Sequence, residues 1–183
     1  MSQTLSRSII WGTTPEERLL TFPCDRFIEE DFFDTVYYWG ITINARSEVV
    51  FRWLCQLRVA PYSYDWIDNL GNQSQRTLTP GLDRLAIGQD VMGIFELTDF
   101  EPNRHLTIRM RPNSTESRIF GDFVGSYLIV CPTLLSCRLL VKLVVRYPTG
   151  SLGWFMRRFL PWGDIIMMRR QLLNFKKLCE QTS

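Results

Sequence analysis

The sequence predicts an α+β domain in which a curved sheet of antiparallel strands packs on one long C-terminal helix. Three observations predict it. In the run Cys137 to Tyr147, Cys137, Leu139, Val141, Leu143, Val145 and Tyr147 fall on one face and Arg138, Lys142 and Arg146 on the other, the period-two pattern of a half-buried strand. Ile165, Met168, Leu172, Phe175 and Cys179 recur in steps of three and four, which draws one apolar stripe on a helix from about residue 163 to residue 180. The strand-like segments between residues 91 and 147 are joined by short turns, and short turns connect antiparallel neighbours, whereas parallel strands need long crossovers.

Residues 1–36 lack a clear period and read as an N-terminal arm. Trp11, Leu19, Phe22 and Phe27 are expected to pack it on the domain formed by residues 37–183. Trp11-Gly12-Thr13-Thr14-Pro15 reads as a turn into a short helical piece. The first strand of the domain runs from Tyr38 to Ala45, with Trp39, Ile41, Ile43 and Ala45 on one face. Ser47 is the expected N-cap of the next helix, and Glu48 lies in its first turn, where the helix dipole favours an acid. Val50, Trp53, Leu54 and Leu57 form that helix's buried stripe, and Pro61 stops it. The segment Tyr62 to Asn69 reads as a second short helix closed by Gly71, and residues 72–89 as a polar loop.

Beyond Gly88 the period turns strand-like. Val91 to Phe100 is expected as one strand and Pro102-Asn103 as a turn. From His105 to Arg111, Leu106, Ile108 and Met110 face one way, and His105, Thr107, Arg109 and Arg111 the other. Arg118 to Cys131 is expected as a long strand that bends or bulges at Gly121 and Gly125.

Composition bounds the function classes. A chain of 183 residues with 45% apolar and 22% charged residues can bury a core without metal or disulfides. A net charge of +2 does not argue for nucleic acid. The five cysteines are odd in number and lack C-x-x-C spacing, so they read as free buried thiols in a reducing cytoplasm. No secretory signal is visible. The longest apolar stretch, Tyr127 to Cys137, is broken by Pro132 and falls short of the ~20 residues of a membrane span. One histidine, His105, excludes a multi-histidine metal site, and no P-loop, G-x-S-x-G or dinucleotide fingerprint occurs. No cofactor is expected.

The order of elements is that of the helix-grip fold, in which a curved sheet wraps the last helix around a cavity and two short helices follow the first strand. Four stretches strengthen this: Phe51-Arg52-Trp53-Leu54-Cys55-Gln56-Leu57, Tyr62-Ser63-Tyr64-Asp65-Trp66-Ile67-Asp68-Asn69, Gly88-Gln89-Asp90-Val91-Met92, and Gly163-Asp164-Ile165-Ile166-Met167-Met168-Arg169-Arg170-Gln171-Leu172. They resemble a bacterial group of SRPBCC proteins, relatives of the START, Bet v 1 and polyketide cyclase families. The likeness covers about residues 36–180, and Trp11-Gly12-Thr13 is similar as well. Members often carry prolines just before the first helix; here Ala45-Arg46-Ser47 stands instead. The resemblance implies a small apolar or amphipathic ligand, a lipid or polyketide-like ring compound, held between sheet and helix. It also admits a cyclase or dehydratase using a Tyr–Asp or Glu–Arg pair.

The candidate ligand-binding residues are Tyr62, Tyr64, Asp65, Trp66, Glu96, Arg109, Tyr127, Met168 and Leu172. Tyrosine presents an apolar body with a hydroxyl, which suits a ligand with one polar end. Tyr62, Tyr64 and Trp66 alternate, so they cannot all face one core. Asp65 and Asp68 share a helical face and read either as an acid–base pair or as a helix-start acceptor beside a solvated carboxylate. Glu96 has Arg109 as its natural cross-strand partner. His105 reads as a surface histidine at a strand end. Trp154-Phe155-Met156-Arg157-Arg158 through Trp162 mixes aromatics and cations; a lid on the cavity end is favoured over contact with a membrane surface.

Overall fold

The computed structural model describes residues 7–28, 34–62, 75–112 and 114–182. Among the described residues the strand patterns of the sequence reappear as one seven-stranded sheet in the order β1-β2-β7-β6-β5-β4-β3. The strands are β1 (Arg7–Trp11), β2 (Thr35–Ile43), β3 (Asp90–Val91), β4 (Phe95–Glu101), β5 (His105–Met110), β6 (Asp122–Thr133) and β7 (Ser136–Arg146). All pairs are antiparallel except β1 with β2, which is parallel. The helices are α1 (Pro15–Arg18), α2 (Ser47–Cys55), α3 (Thr115–Phe120) and α4 (Gly150–Thr182), with 3-10 turns at Pro23–Phe27 and Gln56–Arg58.

The two-residue alternation decides which residues face the helices. Tyr37, Trp39, Ile41 and Ile43 of β2, Leu139, Val141 and Val145 of β7, and Leu106, Ile108 and Met110 of β5 are buried in one cluster. Val50, Trp53, Leu54 and Leu57 join it from the α2 segment, and Leu172, Phe175 and Cys179 from α4. Burying such side chains removes apolar area from water at about 25 cal/mol per Å², and this is the main force holding α4 to the sheet.

The other face is covered too. Phe22 and Cys24 of the N-terminal arm bury themselves on Val124, Leu140 and Val144, with Phe27 packed alongside. Trp11 packs against the helix-side cluster. Leu19 does not pack: it is 86% exposed, because the α1 turn is held by ionic contacts rather than by apolar ones. The arm also brings β1 into the sheet. It reaches β2 where Gly12 (φ +74) lies so close to Gly40 that a Cβ on Gly12 would stand 2.1 Å from the Gly40 carbonyl oxygen, a place only glycine can occupy.

Several expectations are corrected. Ser47 is the first residue of α2, not its cap; Arg46 holds the cap position without a side-chain bond. Val91 to Phe100 is a hairpin, since Met92 and Gly93 are both left-handed and turn β3 back on β4. Arg118 to Phe120 belong to α3, whose start Ser114 caps by accepting from Ser117 N at 3.0 Å. The register shift of β6 falls between Val130 and Thr133, not at the glycines. Helix α4 begins at Gly150 rather than near residue 163, so the Trp154 stretch is helical. Cys131 and Cys137 form a disulfide across the β6–β7 hairpin, which the spacing between them did not suggest; the short turn brings two strands side by side there. Cys24, Cys55 and Cys179 are buried and lie outside any disulfide.

Candidate functional site

The helix side of the sheet holds a group of polar atoms inside apolar packing. Tyr127, buried on β6, donates its hydroxyl to Gln171 Oε1 of α4 at 2.8 Å. Gln171 Nε2 in turn donates to the Pro61 carbonyl at 2.6 Å, and Asn174 Nδ2 donates to the Tyr62 carbonyl at 2.8 Å. Helix α4 is thereby tied both to the sheet and to the segment that follows α2. Burial pushes the Tyr127 phenol well above its usual range, and the bond to Gln171 offsets only part of this. Tyr127 is thus a proton-bearing donor at neutral pH.

Tyr62 sits at the head of the aromatic–acidic segment with φ 56. A bulky residue in the left-handed region is an outlier that the surroundings must enforce. Here the enforcement is visible: the Asn174 bond to its carbonyl, a ring contact with Phe175 at 5.4 Å and an edge contact with Trp53 at 6.1 Å.

A second polar group lies on β2 and its neighbour. The Tyr37 and Tyr147 hydroxyls are 2.7 Å apart, both buried. Tyr37 stacks on Trp39 at 5.0 Å between ring centroids. The Trp39 side chain is fully buried, and its Nε1 finds no hydrogen-bond partner among the described residues. A buried N–H without an acceptor costs about 1–3 kcal/mol, so it marks a place where an acceptor would be favoured.

Of the residues singled out from the sequence, Tyr62, Tyr127, Met168 and Leu172 come together on the helix side, Leu172 fully buried and Met168 packed at the edge of the cluster. Glu96 and Arg109 do stand opposite one another across β4 and β5. Their neighbours Leu97, Ile108 and Met110 fill the helix-side core, so alternation turns Glu96 and Arg109 to the other face. They therefore do not line the interior, and no ion pair joins them. Tyr64, Asp65 and Trp66 lie outside the described residues. Gln171, Asn174, Tyr37 and Tyr147 were missed. Gln171 carried a signal, being a polar residue within the arc Met168, Gln171, Leu172, Phe175. Asn174 lies at the margin of the stripe and reaches the Tyr62 carbonyl from there.

The reading of His105 is also corrected. It is 7% exposed, because the arm covers its face of the sheet. Its Nε2 lies 2.9 Å from Asp99 Oδ2, and Asp99 also pairs with Arg26 of the arm. Next to it, Thr107 and Ser126 share a buried hydroxyl contact of 2.7 Å. The single histidine is thus used on the arm side and is not available to the helix-side interior.

A separate surface cleft of about 370 Å³ lies between α2 and the loop that follows, lined by Arg52, Gln56, Thr79, Pro80, Asp83 and Arg84. Its buried amide is already used: Gln56 Oε1 accepts from Thr79 N at 2.9 Å. Arg58 donates to the Leu82 carbonyl at 3.1 Å. These bonds dock the loop. Among the described residues no helix is long and apolar enough to cross a membrane, and no cluster of His, Cys, Asp or Glu has metal-binding geometry.

No protein-family model and no curated protein matches the chain. Solved structures do. The hypothetical protein jhp0584 from Helicobacter pylori superposes with a TM-score of 0.56 at 14% identity, covering 87% of this chain and 95% of that one. The Zhui aromatase/cyclase from a Streptomyces species superposes with a TM-score of 0.51 at 14% identity, covering 80% and 93%. A START superfamily protein from Mycobacterium smegmatis is similar at 12% identity, covering 81% and 99%, with a TM-score of 0.49. The chain has a helix-grip fold. At such identities the likeness speaks of fold alone, and a fold hosts many functions.

Proposed function

We propose that this protein binds and carries a small hydrophobic or amphipathic molecule, lipid or polyketide-like, between the sheet and α4. The Trp39 N–H, without a partner among the described residues, carries this reading: it is a buried donor on the helix side, near the Tyr37–Tyr147 hydroxyls and within a mainly apolar cluster. Met168 and Leu172 would contact the ligand's body. Tyr62, Tyr127 and Gln171 would set the orientation of its polar end. Tyr64, Asp65 and Trp66 belong to the same proposed set of ligand-binding residues.

Titration with the fluorophore 1-anilinonaphthalene-8-sulfonate, then displacement by a long-chain fatty acid and by a fused-ring aromatic polyketide, tests the reading. Saturable binding and displacement by one of the two is expected. Trp39→Phe keeps the stacked ring but removes the donor, and should weaken the displacing ligand by roughly tenfold. Absence of saturable binding, or unchanged affinity in that variant, would overturn it.

A cyclase-like reaction is the second reading, favoured by the likeness to the Zhui aromatase/cyclase and by Tyr127, a phenol kept protonated by burial. It also needs a base. No Asp or Glu is buried among the described residues, so Asp65 would have to serve, and Asp65→Asn should then abolish turnover of a poly-β-ketone chain without abolishing its binding. A cytoplasmic location is part of the proposal. There the Cys131–Cys137 bridge, exposed on its Cys131 side, would meet reductant; cell fractionation checks the location.

A further inference from the structure

The outward face of α4 presents exposed apolar side chains between cations. Phe155 is 53% exposed, Ile166 55% and Leu173 37%. They follow one another at near-whole turns of a helix, so they fall on a single line along α4. Arg158 and Arg169 flank that line on one side, Arg170 and Lys177 on the other, all exposed. Trp154, 68% exposed, stands at the N-terminal end of the helix. Between Gly150 and Cys179 the sequence has six cations (Arg157, Arg158, Arg169, Arg170, Lys176 and Lys177) against the one acid Asp164. The opposite side of the helix is committed to the core through Leu172, Phe175 and Cys179. At 33 residues α4 is about 50 Å long, enough to present an extended strip.

We infer that this strip is a docking surface for an anionic lipid bilayer, with α4 lying along the headgroups. A row of large apolar side chains between two rows of arginine and lysine is the pattern of a helix that lies in an interface. The apolar row enters the acyl boundary while the cations meet phosphate. Charge complementarity selects anionic lipid over neutral lipid. The apolar row selects a bilayer over a soluble polyanion, which would call for cations alone. Arg169 also lies over the Trp11 ring at 5.8 Å, which brings an arm aromatic beside the same strip. The inference does not depend on what the interior holds.

Sedimentation of the intact protein with vesicles tests it. The vesicles are phosphatidylcholine alone and phosphatidylcholine with phosphatidylglycerol, each at low and high salt. Binding to the phosphatidylglycerol vesicles at low salt is expected, with loss at high salt. Arg158→Ala with Arg169→Ala should weaken it roughly thirtyfold. Arg170→Ala with Lys177→Ala should do the same without touching the Trp11 contact. Phe155→Ser with Ile166→Ser should also lose at least about tenfold. Thermal unfolding of each variant, measured alongside, separates a loss of fold from a loss of vesicle binding. No binding to anionic vesicles at low salt overturns the inference, as does equal binding to phosphatidylcholine alone. Cation variants that fail while the Phe155 and Ile166 variant binds normally would show a polyanion site instead, and would overturn it too. Vesicle binding that survives while the interior ligand titration fails would separate this surface from the carrier reading.

Discussion

The two faces of the sheet are covered by different means. The helix side is closed by apolar side chains in strict register with the strands, with a few buried polar bonds among them. The arm side is closed by a segment without periodicity, and ions position it. Arg138 of β7 donates Nε to Glu17 Oε1 at 2.6 Å and Nη2 to Glu17 Oε2 at 2.8 Å, and also donates to the Gly12 carbonyl at 2.7 Å. Lys142, four residues further along, meets Asp25 at 2.5 Å. Each arm acid does a second job three residues back along the chain. Glu17 accepts from Thr14 N at 2.9 Å and Asp25 from Phe22 N at 2.9 Å. One carboxylate therefore both caps a turn of the arm and docks that turn on a cation of β7. Cations that alternation assigns to solvent are in fact the posts on which the second cover is hung.

Two substitutions measure the contrast. Leu172→Ala on α4 removes a fully buried side chain from the helix-side cluster and should cost about 2–5 kcal/mol of global stability, read as a shift in urea midpoint with unchanged m-value. Arg138→Ala should cost less, about 1–3 kcal/mol. Its side chain and that of Glu17 are 21% and 17% exposed, so water screens part of the pair, but Glu17, Thr42 and the Gly12 carbonyl each lose a donor. The loss should be local: hydrogen exchange speeds up in β1 and α1 while β6 and β7 stay protected. Uniform acceleration across the sheet in Arg138→Ala would mean that the two covers are not separable.

The helix side was legible because one rule governs it. Alternation in β7 and β2 and the stripe on α4 each assign a face without knowledge of neighbours, and the core follows. The arm side was hidden for the opposite reason. Phe22 and Cys24 sit in a segment with no period, and the fact that they cover Val124 and Leu140 is a tertiary fact. His105 was misread on that account, since a polar strand face reads as solvent until something is found lying on it. The candidate site was half legible. Tyr127, Met168 and Leu172 follow from period, and Tyr62 from composition. Gln171 and Asn174 act through bonds to the Pro61 and Tyr62 carbonyls, and no local pattern reports where a distant carbonyl will be. Glu96 and Arg109 show the limit from the other direction: the pairing was readable, but the choice of face was not used to exclude them.

The smallest expected effect separates the two covers by pH. The Arg138 hydrogen bond holds the Glu17 carboxyl below its ordinary value of 4.5, against the opposing effect of burial. A carboxylate lowered in the folded state contributes stability that is present above that ordinary value and is lost as pH falls through the folded one. Lys142 behaves in the opposite sense. Burial alone would lower it, but the Asp25 contact outweighs burial and raises it above 10.5. Its contribution is complete below that value and is lost as pH rises through the folded one. The arm should therefore loosen at both extremes, by different bonds. The helix-side cluster, whose buried polar members are Tyr and Gln rather than carboxylates, should not respond on the acid side. Limited proteolysis of the arm across pH reads this directly. Glu17→Gln should flatten the acid rise in cleavage and leave the alkaline rise intact, while Lys142→Met should do the reverse. An acid rise that persists unchanged in Glu17→Gln would place the acid-labile contact elsewhere and break the assignment to Glu17.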